Sequence, residues 1–144
     1  MATPARPDVV VRWHHIVEHD DRTALVDLLA DDAVFSSPAV FTPQAGKDAT
    51  LAYLQAALTV FGNDTGFHYV GEWYGDRSAV LEFEADLDGV HVNGVDIIGW
   101  DHRDRIISFK VMVRPIKGLQ ALMPLMAAQL TPAATPSSLP GETE

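Results

Sequence analysis

The sequence predicts an α+β domain, and three observations carry that reading. Apolar residues recur at helical spacing up to about residue 60, the period changes to two from Gly66 onward, and the second half contains a strong hairpin turn at Asp88-Gly89. Helical segments followed by a meander of strands place helices on one face of a sheet.

Each element has its own signal. Pro7 suits the first turn of a helix, and Val9, Val10, Trp13, Ile16 and Val17 form one apolar stripe behind it, over roughly residues 7–20. Asp20-Asp21 opens a second, short helix with Leu25, Leu28 and Leu29 inward. Val34 to Ser37 reads as a short strand ended by Pro38. Gly46 and Asp48 precede a third helix, with Leu51, Leu54, Leu58 and Phe61 on one side. Phe67–Tyr74 is a strand, and Ser78–Leu87 alternates Ala79, Leu81, Phe83, Ala85 and Leu87 with mostly polar residues. Val90–Trp100 and a strand ending at Arg114 follow. Ile116–Leu130 is a Met-rich helical pattern that Pro124 is expected to kink or shorten, its Leu122, Met123, Leu125 and Met126 reading as a lid or as interface filler. One domain over residues 7–130 is expected, with a Pro/Ser/Thr-rich mobile tail over 131–144.

Composition narrows the function. The chain has 144 residues and a net charge of -10, a field that repels phosphate backbones and anionic lipid surfaces, so neither nucleic acid nor membrane is an expected partner. There is no cysteine, which excludes disulfides, thiolate metal sites and a cysteine nucleophile. No apolar run reaches the ~18 residues of a membrane span, and a cytoplasmic location is expected. His15 and His19 lie four apart on a helix, but no third ligand is evident and that face should be wet, so no metal and no cofactor is expected.

The hairpin turn makes one residue stand out. With Asp88-Gly89 as a two-residue loop, Leu87 faces Val90, and counting outward pairs Ala85 with Val92, Phe83 with Gly94, Leu81 with Asp96 and Ala79 with Ile98. The next turn pairs Trp100 with Ile107, Ile98 with Phe109 and Asp96 with Val111. A carboxylate thus sits on an apolar sheet face, where desolvation raises its pKa and marks a candidate site. The alternative is that Asp96 bonds a helix terminus or backbone group and serves packing only. A β-bulge at Asn93-Gly94 would reverse its face. The outer face carries Asp86 opposite His91 and an apolar middle of Val80, Val95, Ile97 and Met112, which suggests a two-fold homodimer.

Leu28 to Phe35, Gly46-Lys47-Asp48-Ala49, Val95-Asp96 and Ile106-Ile107-Ser108-Phe109 together resemble the nuclear transport factor 2-like superfamily over roughly residues 8–128. The resemblance implies a cone of curved antiparallel sheet with three N-terminal helices on its concave face, a short C-terminal helix and an enclosed pocket. Within it the ketosteroid isomerases have a tyrosine on the first helix, an aspartate base before the proline that ends the first strand, and a protonated aspartate on a later strand, the last being a worked example in general treatments of pKa tuning. Asp96 matches the strand aspartate, twelve residues before Ser108, whereas Trp13 stands at the tyrosine position and Ser37 at that of the base. Steroid isomerisation by the family mechanism is therefore not implied. Limonene-epoxide hydrolases carry an arginine two positions before the matching aspartate, where this chain has Gly94. SnoaL-like polyketide cyclases need little beyond one aspartate and a shaped apolar pocket.

The expected function is binding of a small apolar molecule, with isomerisation, cyclisation or dehydration if there is chemistry. Asp96 is the candidate acid/base, with His14 and Ser37 as auxiliaries, although packing at the rim is the weightier reading of His14. Trp13, Val17, Phe35, Leu54, Leu81, Phe83, Ile98, Trp100, Phe109 and Val111 are the expected pocket lining. The competing expectation is a non-catalytic binding or dimerisation module with a vestigial pocket.

Overall fold

The computed structural model describes residues 5–62 and 64–134. Helices α1 (Asp8–His19) and α2 (Arg22–Leu28) lead into strand β1 (Leu29–Ser36), a two-residue strand β2 (Gln44–Ala45) and helix α3 (Lys47–Gly62). Strands β3 (His68–Gly75), β4 (Ser78–Leu87), β5 (Val90–Trp100) and β6 (Ile106–Arg114) follow, and helix α4 (Ile116–Ala134) ends the described chain.

Local chemistry sets these boundaries. Asp20 turns into the left-handed region at φ 52° to stop α1, and the Asp21 side chain accepts the Ala24 N–H at 3.1 Å to start α2. Leu29, expected on the inner face of α2, is instead the first residue of β1. Asp88 and Gly89 take φ 49° and 80°, the two positive values that a type I′ hairpin turn requires.

The six strands form one curved sheet in the order β2-β1-β6-β5-β4-β3. It is mixed rather than wholly antiparallel, because β1 lies parallel to β6 with Phe35 beside Phe109. The β4–β5 ladder is unbroken from Leu87↔Val90 to Ser78↔Gly99, so Leu81 faces Asp96 and no bulge forms at Asn93-Gly94. β6 pairs Asp96 with Val111 and Ile98 with Phe109, but a register shift after Gly99 puts Trp100 beside Ile106 rather than Ile107. That shift buries Ile106 and leaves Ile107 exposed.

Two apolar clusters occupy the inner face. One gathers Val10, Ile16, Leu25 and Leu28 of the first two helices onto Leu81, Ile98, Trp100 and Ile106. The other joins Val60, Leu87, Val92 and Leu122. The C-terminal helix is the longest of the four, not short, and it runs through Pro124 and past residue 130 into the segment expected as tail. A proline removes one helical hydrogen bond, and α4 retains an apolar face against the second cluster, which holds it together. The rest of the expected tail, 135–144, lies outside the described residues. Among the described residues, no helix is long and apolar enough to cross a membrane.

Candidate functional site

Between the two clusters lies a cavity of about 520 Å³, walled by α1, α3, α4 and the inner face of the sheet. The inward alternation of β5 and β6 delivers Asp96 and Val111 to it as a cross-strand pair, and β4 contributes Phe83. Gly94 pairs with Phe83, whose ring lies over it. A side chain at 94 has no room there, which explains why this position carries no arginine.

Asp96 is 6% exposed and has one hydrogen-bond partner of note, the Tyr69 hydroxyl, which donates to Oδ2 at 2.5 Å. Burial raises its pKa from 3.8 to about 7, against a smaller lowering by the Tyr69 hydrogen bond. Tyr69 in turn accepts the Trp13 indole N–H at 2.9 Å. Its own pKa lies well above the ordinary phenol value, chiefly because the hydroxyl is buried and because an Asp96 carboxylate would repel a phenolate. The site is thus a chain of three side chains, Trp13 to Tyr69 to Asp96, from one helix and two strands. Near neutral pH the carboxyl is poised between its two protonation states.

Asp96, Ser37, Trp13, Val17, Phe35, Leu54, Phe83, Phe109 and Val111 all line the cavity. Three expected lining residues do not. Leu81, Ile98 and Trp100 share the inner face but sit under α1 and α2, packed in the first cluster. The sheet face follows from alternation, whereas depth along the cone does not. Ser37 lines the cavity with its Oγ accepting the Ala39 N–H at 3.1 Å. His14 is not in the lining. Its Nε2 is bonded to the Glu72 carboxylate, which also takes the Tyr74 hydroxyl at 2.5 Å and the Arg6 guanidinium at 3.3 Å. The His14 ring meets Tyr69 edge-on at 5.1 Å, so it buttresses the site from behind.

Sequence reasoning missed Tyr69. A register shift between Tyr69 and Gly71 breaks the period of two in β3, so Tyr69, Glu72 and Tyr74 pair with the inward residues Phe83, Leu81 and Ala79, while Trp73 turns outward beside Val80. A regular strand would have placed Tyr69 and Trp73 on the same face. Tyr53 and the α4 residues Leu122, Met123 and Met126 also line the cavity, whereas Leu125 packs in the second cluster. The lining carries two further carboxylates, Glu18 and Asp64, both exposed.

Three other histidines are accounted for locally. His15 and His19 stack at 4.4 Å, and His15 bonds Asp21 at 3.2 Å. His91 bonds Asp86 at 3.0 Å on the outer face, as expected, and also reaches Glu84 at 3.3 Å.

Comparison with known proteins agrees with this architecture. The chain is 36% identical to a solved steroid delta-isomerase from Pseudomonas aeruginosa, covering 90% of this chain and 96% of that one with a TM-score of 0.81. An uncharacterised protein with a cystatin-like fold from Silicibacter pomeroyi is 28% identical, with 85% and 84% covered and a TM-score of 0.77. An epoxide hydrolase/cyclase-like enzyme of pyran ring formation in the polyether salinomycin is 18% identical, with 76% and 90% covered and a TM-score of 0.60, a likeness of fold alone. No protein-family model and no curated protein matches the chain.

Proposed function

The chain belongs to the nuclear transport factor 2-like superfamily, and from that premise we propose that its cavity binds a small, largely apolar, carbonyl-bearing molecule of polyketide, terpenoid or steroid-like build, with Asp96 as the acid/base of an isomerisation, cyclisation or dehydration. One observation carries the reading: a carboxyl buried in an apolar cavity, with its pKa raised to about 7, hydrogen-bonded to a phenol. A group that titrates near the working pH is suited to moving protons in both directions. The volume of about 520 Å³ falls within the roughly 300–1,000 Å³ of small-ligand sites. An apolar wall supplies affinity, and the single polar chain supplies orientation.

A second reading is favoured by one specific observation. Ser37, at the position of the family's base, has its hydroxyl oxygen committed to the Ala39 N–H, so a non-catalytic binder built on the same cavity fits the lining too. In either case we propose a cytoplasmic homodimer that pairs through the outer sheet face. There Trp73 and Met112 are 58% and 51% exposed, flanking the half-buried Val80, Val95 and Ile97.

Native mass spectrometry of protein purified from its own host tests the proposal directly. A retained neutral molecule of mainly carbon skeleton is the expected result, and a retained nucleotide or sugar phosphate would overturn it. With that ligand in hand, Asp96→Asn separates the two readings. Lost turnover with retained affinity marks an enzyme, and unchanged turnover removes the catalytic role.

A further inference from the structure

We propose that the cavity also takes apolar primary and secondary amines, whose ammonium group bonds the open carboxyl oxygen of Asp96 and rests among the aromatic side chains beside it. This rests on the reading of the cavity as a ligand site, and on none of the chemistry proposed for it.

The Asp96 carboxyl is half used. Tyr69 donates to Oδ2 at 2.5 Å, and among the described residues no hydrogen bond reaches Oδ1. The side chain is 6% exposed and belongs to the cavity wall, which leaves Oδ1 for a ligand. The proton decides which ligand. A neutral carboxyl presents an O–H at Oδ1 and suits an acceptor such as a carbonyl, whereas a carboxylate presents lone pairs and suits an N–H donor. One atom therefore serves two ligand classes, one on each side of its titration near 7.

The surroundings suit a cation. Phe83 pairs with Gly94 and Phe109 with Ile98, the residues two before and two after Asp96 on the same face of the sheet. Trp13 of α1 meets the Phe109 ring edge-on at 4.9 Å. Three aromatic side chains thus border the carboxyl in the lining, and aromatic ring faces attract an ammonium group that has left water. Among the described residues, no lysine, arginine or histidine is in the lining, so the ligand meets no like charge. Of the titratable groups there, Tyr69 of β3 touches Asp96, Tyr53 stands on α3, and Glu18 of α1 and Asp64 after α3 are exposed carboxylates; β4, β6 and α4 contribute none. A net charge of -10 draws cations toward the molecule. A quaternary ammonium has no N–H for Oδ1 and is the poorer ligand.

Binding changes no covalent bond of the ligand. An N–H···Oδ1 hydrogen bond forms, and the proton that Asp96 carried passes to bulk water. Below pH 7 that proton must be expelled, so amine affinity should rise about tenfold per pH unit up to about 7 and then level off.

The test is isothermal titration calorimetry of the intact protein from pH 5 to pH 9 with 2-aminotetralin, and with 2-tetralone as its carbonyl counterpart. Amine affinity should follow the rise and plateau above. Paired buffers of unlike ionisation heat should show nearly one proton released per amine at pH 6 and almost none at pH 9. At pH 8, Asp96→Asn should lose on the order of 10–100-fold in amine affinity and keep its affinity for 2-tetralone. Phe109→Leu should weaken the amine several-fold more than the ketone. Amine affinity that stays flat with pH, wild-type amine affinity in Asp96→Asn, or no amine binding at millimolar concentration overturns the amine site, while binding of 2-tetralone leaves the carbonyl reading standing. Amine binding with the expected profile but no binding of 2-tetralone supports the amine site and removes the carbonyl reading. Binding of neither removes both.

Discussion

Replacing Asp96 by asparagine should stabilise the protein, by an amount set by pH. The folded state holds this carboxyl neutral, raising its pKa from 3.8 to about 7. Below pH 4 both folded and unfolded chains are protonated, and Asp96 costs nothing electrostatically. Between pH 4 and pH 7 the unfolded chain ionises and the folded one does not, so stability is lost as pH rises, and above pH 7 the loss is constant. A shift of about 3 units at 1.36 kcal/mol each sets that loss at about 4 kcal/mol. Asparagine keeps the shape, accepts the Tyr69 hydrogen bond and does not titrate. The difference in unfolding free energy between Asp96→Asn and wild type should therefore grow from pH 4 to pH 7 and then hold level. Urea unfolding at pH 4, 5.5, 7 and 8 measures it, and with a slope of about 1–3 kcal/mol/M the midpoints should separate by more than 1 M at pH 8. A difference that stays flat across this range refutes a buried, neutral Asp96.

Further consequences can be checked separately. Tyr69→Phe removes the one hydrogen bond that favours the Asp96 carboxylate, so the carboxyl should titrate above 7, followed by carbon-detected NMR. Gly94→Ala places a Cβ 2.5 Å from the Phe83 ring and 2.6 Å from the Met112 carbonyl oxygen. Because that oxygen is backbone, the variant should lose about 1–3 kcal/mol or more in thermal or urea unfolding. Trp73→Glu or Met112→Glu should leave circular dichroism unchanged and convert a dimer to monomers in light scattering.

What the sequence revealed and what it hid divide along the range of the interactions. The turn at Asp88-Gly89 fixes the register of β4 on β5, and so the face of Asp96, because a two-residue hairpin leaves no freedom in pairing. The parallel pairing of β1 with β6 joins residues far apart in the chain and has no local signal. Tyr69 was hidden for a different reason: an irregularity of the β3 backbone overrides the alternation from which faces are read. Trp100 shows a third limit, since a slip in the β5–β6 pairing moved its partner by one residue without moving its own side chain off the core. The length of α4 was underestimated because proline is a reliable helix breaker only where nothing else holds the helix.

The placement of β1 between β2 and β6 bears on how this chain acquires its shape. The hairpin of β4 and β5 closes over two residues and can form as soon as it emerges from the ribosome, whereas β1 must wait for β6, with α3 and four strands intervening. Closing so long a loop is entropically costly and slows folding. Until it closes, Phe35 lacks its neighbour Phe109 and the β1 backbone lacks its β6 ladder. During synthesis, the interval before β6 appears is when this strand is most open to chaperones and to pairing with the wrong chain.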